Sequence, residues 1–337
     1  MNDLIDWRRE SAPGSLASMR VLDLSQQLPG PYCSELLATL GADVVKVEPP
    51  QGDAARHLDP TMFEAVNRGK RSVRLNLKDD ADREHLMVLM READVLIEGF
   101  RPGVTERLGC DYESVRSIQP RIVYCSISGF GQQGPLARRP THDVSLQAVA
   151  GALSPDETLK RIGVPWVDLG TGTTAAFLIV SAWHGGEGGY IDAAMLDTAL
   201  SWAQVKPEAV LETEPSYGTC HSADGQLVVI ALLEDEMWAR MCAAFEWTDW
   251  QQDVSLAQYR DRRKRAVEVR SRLEQTIASI PAARITELAH EFDLPVEVVD
   301  GQDDETVEQV SLRSTGIGGS ALPVPESWRF HEGVQRS

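Results

Sequence analysis

The feature that most restricts the fold lies between residues 20 and 48. Residues 20–24 (Arg-Val-Leu-Asp-Leu) have the composition of a strand, and Pro29-Gly30-Pro31 then opens a helix over residues 32–40. Pro31 stands near the first turn, where its missing N–H is no loss. Gly41 is a suitable stop for that helix. Residues 43–48 (Asp-Val-Val-Lys-Val-Glu) form a second strand, which Pro49-Pro50 ends. A strand, a helix and a strand in this space make a βαβ unit, so the two strands are expected to be parallel.

The alternation continues. Residues 73–77 read as a strand, 78–92 as a helix by apolar spacing, and 94–100 and 121–128 as strands, with a helix after Pro102 between them. This pattern predicts an α/β chain built on a doubly wound sheet. An apolar helix over 173–183 and a glycine-rich turn lead to a strand at 190–192. Further on, 226–232 and 296–299 read as strands, and 259–274 and 285–292 as helices. The arginines of 259–274 are expected to form a solvated face. At 337 residues the chain exceeds one ordinary domain.

Charge limits the partners. The net charge of -18 repels nucleic acid and anionic lipid, so neither is expected as a partner. An anionic ligand would need a local basic patch, and residues 67–78 supply one with Arg68, Lys70, Arg71, Arg74 and Lys78; Lys46 adds another cation. Such a cluster is either a seat for phosphates or a strand edge kept soluble by cations. Gly69 favours the first by permitting close backbone approach. The turn after the first strand has one glycine, not the G-x-G-x-x-G that brings a backbone to pyrophosphate, which disfavours a dinucleotide; a Walker A motif is also absent. The five cysteines form no C-x-x-C pair, so no metal site is expected. Residues 1–10 lack an apolar signal region and no run reaches membrane-spanning length, which predicts a cytoplasmic protein.

An ordered set of segments resembles one family. Residues 20–24, Gly30-Pro31, 40–50, Asn67-Arg-Gly-Lys-Arg-Ser72, 94–100, Arg101-Pro-Gly103, Arg107-Leu-Gly109 and Ser128-Gly-Phe-Gly-Gln132 occur in the order found in the class III CoA-transferases. That family includes formyl-CoA and carnitine CoA-transferases and the α-methylacyl-CoA racemases. The resemblance implies an acyl-CoA thioester as ligand, with coenzyme A part of the substrate and no tightly bound cofactor. It implies a Rossmann-like large domain (residues 1–205, with 305–337 returning to it), a smaller α+β domain (206–304) and an interlocked homodimer. Carried over by position, Lys46, Leu75, Lys78, Phe100, Arg107 and Leu108 resemble the family's CoA contacts.

Three residues resemble the reacting groups. Asp168 of Val167-Asp-Leu-Gly-Thr-Gly172 stands where transferases carry a nucleophile that forms an acyl anhydride and then an aspartyl-CoA thioester. His142 of Thr141-His-Asp143 matches the racemases' second base, and Glu234 a third racemase position. These matches place the chain nearest the racemase branch. A base on each face of a thioester's α-carbon removes a proton on one side and returns it on the other; neutral histidine suits that task. Asp168 suits it once burial raises its pKa, and amides after Asp168, at a helix start, are candidate donors to the enolate oxygen. Each residue also has an ordinary reading. Asp168 resembles a helix N-cap, His142 a satisfied structural histidine, and Glu234 part of an acidic first turn. Asp143 is expected to cap a helix or brace a loop. The leading expectation is epimerisation of a branched 2-acyl-CoA. The alternatives are CoA transfer with Asp168 as nucleophile and, because residues 206–216 lack the family's lid segment, a CoA-binding homologue without catalysis.

Overall fold

The computed structural model describes residues 7, 14–153, 164–205 and 215–299. These divide into two compact units, the first ending at Gln204 and the second starting at Val205. The expected return of residues 305–337 and the abbreviated segment 206–214 lie outside the described residues.

The first unit is a six-stranded sheet. Its strands are β1 (Arg20–Asp23), β2 (Asp43–Glu48), β3 (Arg71–Arg74), β4 (Val95–Glu98), β5 (Val123–Ser128) and β6 (Gly189–Ala194). They run in the order β3-β2-β1-β4-β5-β6, and every neighbouring pair is parallel. The helices are α1 (Pro29–Thr39), α2 (Ala55–Leu58), α3 (Pro60–Asn67), α4 (Asp80–Glu92), α5 (Val104–Leu108), α6 (Tyr112–Ile118), α7 (Asp143–Val149), α8 (Trp166–Gly185) and α9 (Met195–Val205). All residues of β2 and β4 are buried, as expected of parallel strands covered on both faces. Cys33 and Leu37 of α1 pack with Ala175 and Ile179 of α8 in one core cluster. Leu86, Leu89 and Met90 of α4 pack with Val115 of α6 in another.

Several boundaries shift by a few residues, and two of the shifts bear on the site. β3 covers Arg71–Arg74, so Leu75 to Lys78 form the loop at its carboxyl end instead of the strand's second half. α8 begins at Trp166, not Thr173, and runs through Gly170 and Gly172. A Cβ on Gly172 would stand 2.7 Å from the Pro29 carbonyl oxygen, and one on Gly170 2.9 Å from the Trp202 ring. These glycines are where α1 and α9 press against α8, and the packing outweighs their poor helix propensity.

The second unit holds an antiparallel sheet, β7-β8-β9, of β7 (Tyr217–His221), β8 (Leu227–Ala231) and β9 (Val296–Val298). Its helices are α10 (Asp235–Ala244), α11 (Thr248–Gln252), α12 (Tyr259–Arg262), α13 (Ala266–Ile277) and α14 (Ala282–Glu291). Val228, Ile230, Trp238, Met241, Leu273 and Ile285 belong to one core. The helix expected over 259–274 is interrupted by a 3-10 turn, Arg263–Arg265. Arg262, expected on a solvated face, is fully buried. Its guanidinium pairs with Asp235 at 2.8 Å and donates to the Leu233 and Leu256 carbonyls. No helix among the described residues is long and apolar enough to cross a membrane.

Candidate active site

In an open parallel sheet the strand order reverses at one point, and loops leaving the carboxyl ends there part to leave a crevice. Here that point lies between β1 and β4. Two cavities open on loops of this edge. The first, about 290 Å³, is lined by the end of β2, by residues after β1, β2 and β3, and by Phe100 and Leu108. Leu75, Lys78, Phe100 and Leu108, four of the six expected CoA contacts, lie together on its wall. Arg107 precedes Leu108 on α5 and is exposed, but it does not line the cavity.

Lys46 is placed differently from the expectation. Its side chain is 1 % exposed, its ammonium lies 3.1 Å from Asp53, and it donates to the Ser25 carbonyl at 2.8 Å. A lysine so enclosed has no path to a phosphate. Lys70 is likewise turned inward, donating to Asp23 at 3.2 Å, to the Pro31 carbonyl and to Asn67. Burial lowers the Lys70 pKa to about 8. At Asp23 burial works upward, but the ammoniums of Lys46 and Lys70 and the hydroxyls of Ser25 and Ser34 prevail and hold the carboxyl near 2. These ion pairs fix the loop after β1, on which the cavities rest. Arg71 pairs with Asp43 at 2.6 Å. The basic patch thus separates by role: Lys70 and Arg71 brace the fold, while Arg74 and Lys78 remain exposed. Gly69 serves a turn with φ of +75° and has no atom within 4 Å of a built Cβ, so close approach is not its role.

The second cavity, about 390 Å³, shares Gln26 and Phe100 with the first. His142 and Asp168 both line it. His142 precedes α7, and its carbonyl accepts from the Ser145 and Leu146 amides while its side chain makes no capping bond. The preceding Thr141 lies against Gly129, where a Cβ would come within 2.2 Å of the threonine methyl. Only glycine allows the two loops to close on the cavity there.

Asp168 lies in the first turn of α8, not at its N-cap, which is Pro165. The cap is supplied from another element. Asp143 accepts from the Val167 amide at 2.8 Å and the Asp168 amide at 3.1 Å, and Gln147 donates to its other oxygen. This is the bracing role expected of Asp143. It leaves the Asp168 carboxyl with no hydrogen-bond or ion-pair partner among the described residues. Burial, and then the charge of Asp143, raise its pKa from 3.8 to about 7. The amides after Asp168 are not the oxyanion donors expected, because they face back into the helix; Leu169, for one, donates to the Pro165 carbonyl. A different donor lines the cavity: the Ser128 hydroxyl, at the end of β5, is buried with no partner among the described residues.

Glu234 belongs to the second unit, exposed at the N-cap of α10, where its side chain makes no capping bond. Asp235 and Glu236 occupy the first turn, and Arg262 binds the chain on both sides of Glu234, at Leu233 and Asp235.

Several groups escaped the sequence reading. Glu98, at the end of β4, is buried, accepts from the Phe100 amide at 2.7 Å and from the Ser126 hydroxyl, and its pKa is raised by burial to about 7. Arg101 and Arg139 line the second cavity. The Arg101-Pro-Gly103 motif was the one available signal for Arg101; nothing local marks Glu98 or Arg139.

A six-stranded parallel sheet with its crevice at the strand-order reversal, and a carboxyl presented there by a helix start, define a Rossmann-like enzyme framework. The profile of CoA-transferase family III matches residues 16–317, and the chain belongs to that family. It is 32% identical over 341 residues to an acetyl-CoA:oxalate CoA-transferase of Acetobacter aceti, covering 93% of this chain and 88% of the relative. It is 35% identical to a succinyl-CoA:mesaconate CoA-transferase of Haloarcula marismortui, covering 84% and 83%. Among solved structures it resembles Rv3272 of M. tuberculosis, with a TM-score of 0.78, 27% identity and coverage of 90% and 89%. A CAIB/BAIF family protein of Brucella suis matches with a TM-score of 0.72, 29% identity and coverage of 88% and 86%. These relatives support the transferase alternative over epimerisation, which the sequence reading ranked first.

Proposed function

We propose that the protein moves coenzyme A between carboxylic acids, with Asp168 as nucleophile. The observation that carries this reading is the Asp168 carboxyl, without a partner among the described residues and on a helix start braced by Asp143, in a cavity that adjoins a second one lined by Leu75, Lys78 and Phe100. The names of the relatives agree with it.

The chemistry balances on one side chain. The Asp168 carboxylate attacks the donor thioester, the C–S bond breaks, and CoA thiolate leaves a mixed anhydride. The thiolate attacks the aspartyl carbonyl, releasing the donor acid as carboxylate and forming aspartyl-CoA. The acceptor carboxylate attacks that thioester, giving a second anhydride and thiolate. The thiolate attacks the acceptor's acyl carbon, and Asp168 is regenerated. The raised pKa means that the ionised, nucleophilic fraction of Asp168 increases as pH rises through about 7. Lys78 serves the anionic part of CoA and Phe100 forms the wall between nucleotide and acyl ends. Arg107 and Glu234, which line neither cavity, and an interlocked homodimer remain assignments by resemblance.

Mass spectrometry after mixing with acyl-CoA, without acceptor, should show CoA joined to Asp168 as a thioester. No adduct with any donor would overturn the reading. His142 on the same cavity favours a second reading, two-base epimerisation. It predicts solvent deuterium at the α-carbon of a 2-methylacyl-CoA with no acid added, and unchanged protons would remove it.

A further inference from the structure

The loop that leaves β4 is gripped by a buried acid. Glu98, the last residue of that strand, is 2 % exposed, and no lysine or arginine pairs with it among the described residues. The charged groups that bear on it are Glu106 of α5 and Asp192 of β6, both acids. A carboxylate placed in this way costs the fold, because it loses water and gains no cation. A glutamine would satisfy the same neighbours without a charge. Groups held at such a cost concentrate at working sites, and the contacts of Glu98 show what this one serves.

One of its oxygens accepts from the Phe100 amide at 2.7 Å, and the other from the Ser126 hydroxyl of β5. Glu98 and Ser126 are direct neighbours in the sheet, and the Tyr190 hydroxyl of β6 donates to Ser126 at 3.1 Å. The carboxylate thus ties the Phe100 backbone to two further strands. Gly99, between Glu98 and Phe100, is exposed and has no side chain to restrict the turn. Phe100 is therefore held at its amide by Glu98, and its ring packs on the cluster that includes Leu24, Val47 and Leu75. Phe100 also lines both cavities, on the loop beside the reversal of strand order. A shift of its backbone moves the wall of the nucleotide cavity and that of the Asp168 cavity together.

We propose that Glu98 is a positioning residue for the acyl-CoA: through the Phe100 amide it sets the offset between the cavity that takes the CoA handle and the cavity in which the thioester carbon meets Asp168. This rests on the transferase reading above. A misplacement of about 1 Å between reacting groups costs about a hundredfold in rate. A hydrogen bond to an ionised acceptor is about twice as strong as one to a neutral acceptor. That stiffer hold on Phe100 is what a glutamate adds over a glutamine here.

The test measures the Kd for CoA by calorimetry and the rate of aspartyl-CoA formation at saturating acetyl-CoA. It uses the parent, Glu98→Met, Glu98→Gln, Phe100→Leu and the double variant of Glu98→Met with Phe100→Leu. Glu98→Met is expected to raise the Kd and to lower the rate, each at least tenfold. Glu98→Gln, whose oxygen still accepts from the Phe100 amide, should recover part of both. In the Phe100→Leu background Glu98→Met should add less than threefold, because both changes interrupt one path. Leu96→Val, two residues earlier on β4, loosens the same core and should lower the melting temperature with both constants unchanged. Glu98 variants that behave like Leu96→Val would overturn the proposal. So would losses that multiply in the double variant, because Glu98 would then act without Phe100. A parent that forms no adduct removes the transferase reading, and the Kd comparison still decides the role of Glu98.

Discussion

The nucleophile proposed above, Asp168, is placed at a cost to the fold. Its carboxyl is raised from 3.8 to about 7, chiefly by burial. Between these values the folded chain keeps a proton that the unfolded chain has released, so stability declines as pH rises through that window and the penalty is complete above it. The shift corresponds to a ceiling of about 4 kcal/mol, and partial solvent contact reduces the effect to about 1–3 kcal/mol. Asp168→Asn does not titrate and escapes the penalty. It should lose transfer activity entirely and yet gain about 1–3 kcal/mol of stability at pH 8, a gain that shrinks as pH falls to 5. Urea unfolding of both proteins at the two pH values checks this. A variant less stable than the parent at pH 8 would show that the carboxylate is held by favourable contacts, not stranded among apolar ones.

At the scale of elements, α8 determines where that carboxyl stands, and its position depends on two glycines. An added methyl at Gly172 meets the backbone of α1 at 2.7 Å, an overlap no rotamer can relieve. Gly172→Ala should therefore lower stability by about 1–3 kcal/mol although alanine is the better helix former. A thermal melt measures the first effect, and a fall in the rate of aspartyl-CoA formation the displacement of α8; a stabilised variant would contradict the packing argument. The same glycines show what the sequence revealed and concealed. The buried strands are visible through their β-branched and aliphatic residues, Val44, Val45 and Val47 in β2 and Val95-Leu-Ile97 in β4, and the crossover rule follows from them. Gly-Thr-Gly-Thr reads locally as a break, and only the facing surfaces of α1 and α9 explain a helix there. Lysine at a strand end reads as exposed, so the burial of Lys46 against Asp53 was invisible: its partner comes from a loop seven residues on. Arg262 was misread for the same reason, its partner Asp235 being distant in sequence. His142 and Asp168 were found through the family motif, whereas Arg139, on the wall of the same cavity, has no signature.

For the whole molecule, the arrangement of charge is more informative than its sum. A net charge of -18 opposes the approach of an anionic thioester. The carboxyl edge of the sheet offsets this locally, but part of its basic patch is already committed: Lys46 and Lys70 to Asp53 and Asp23, and Arg71 to Asp43. Of the exposed cations Arg74 and Lys78, Lys78 lies on the wall of the first cavity, and the proposed function gives it the phosphates. An interaction made equally with the bound substrate and with the transition state affects KM and not kcat. Lys78→Met should accordingly raise the KM for the CoA donor about tenfold, the value of one charge-assisted phosphate contact, and leave kcat little changed. Because Lys78 meets solvent, the difference between variant and parent should narrow as salt is raised from 0.01 to 0.5 M, where the screening length falls to about 4 Å. Steady-state kinetics across that range supply the check. A variant that loses kcat instead would place Lys78 among the groups that orient the thioester toward Asp168, and the two cavities would then work as a single site and not as a handle and a reaction chamber.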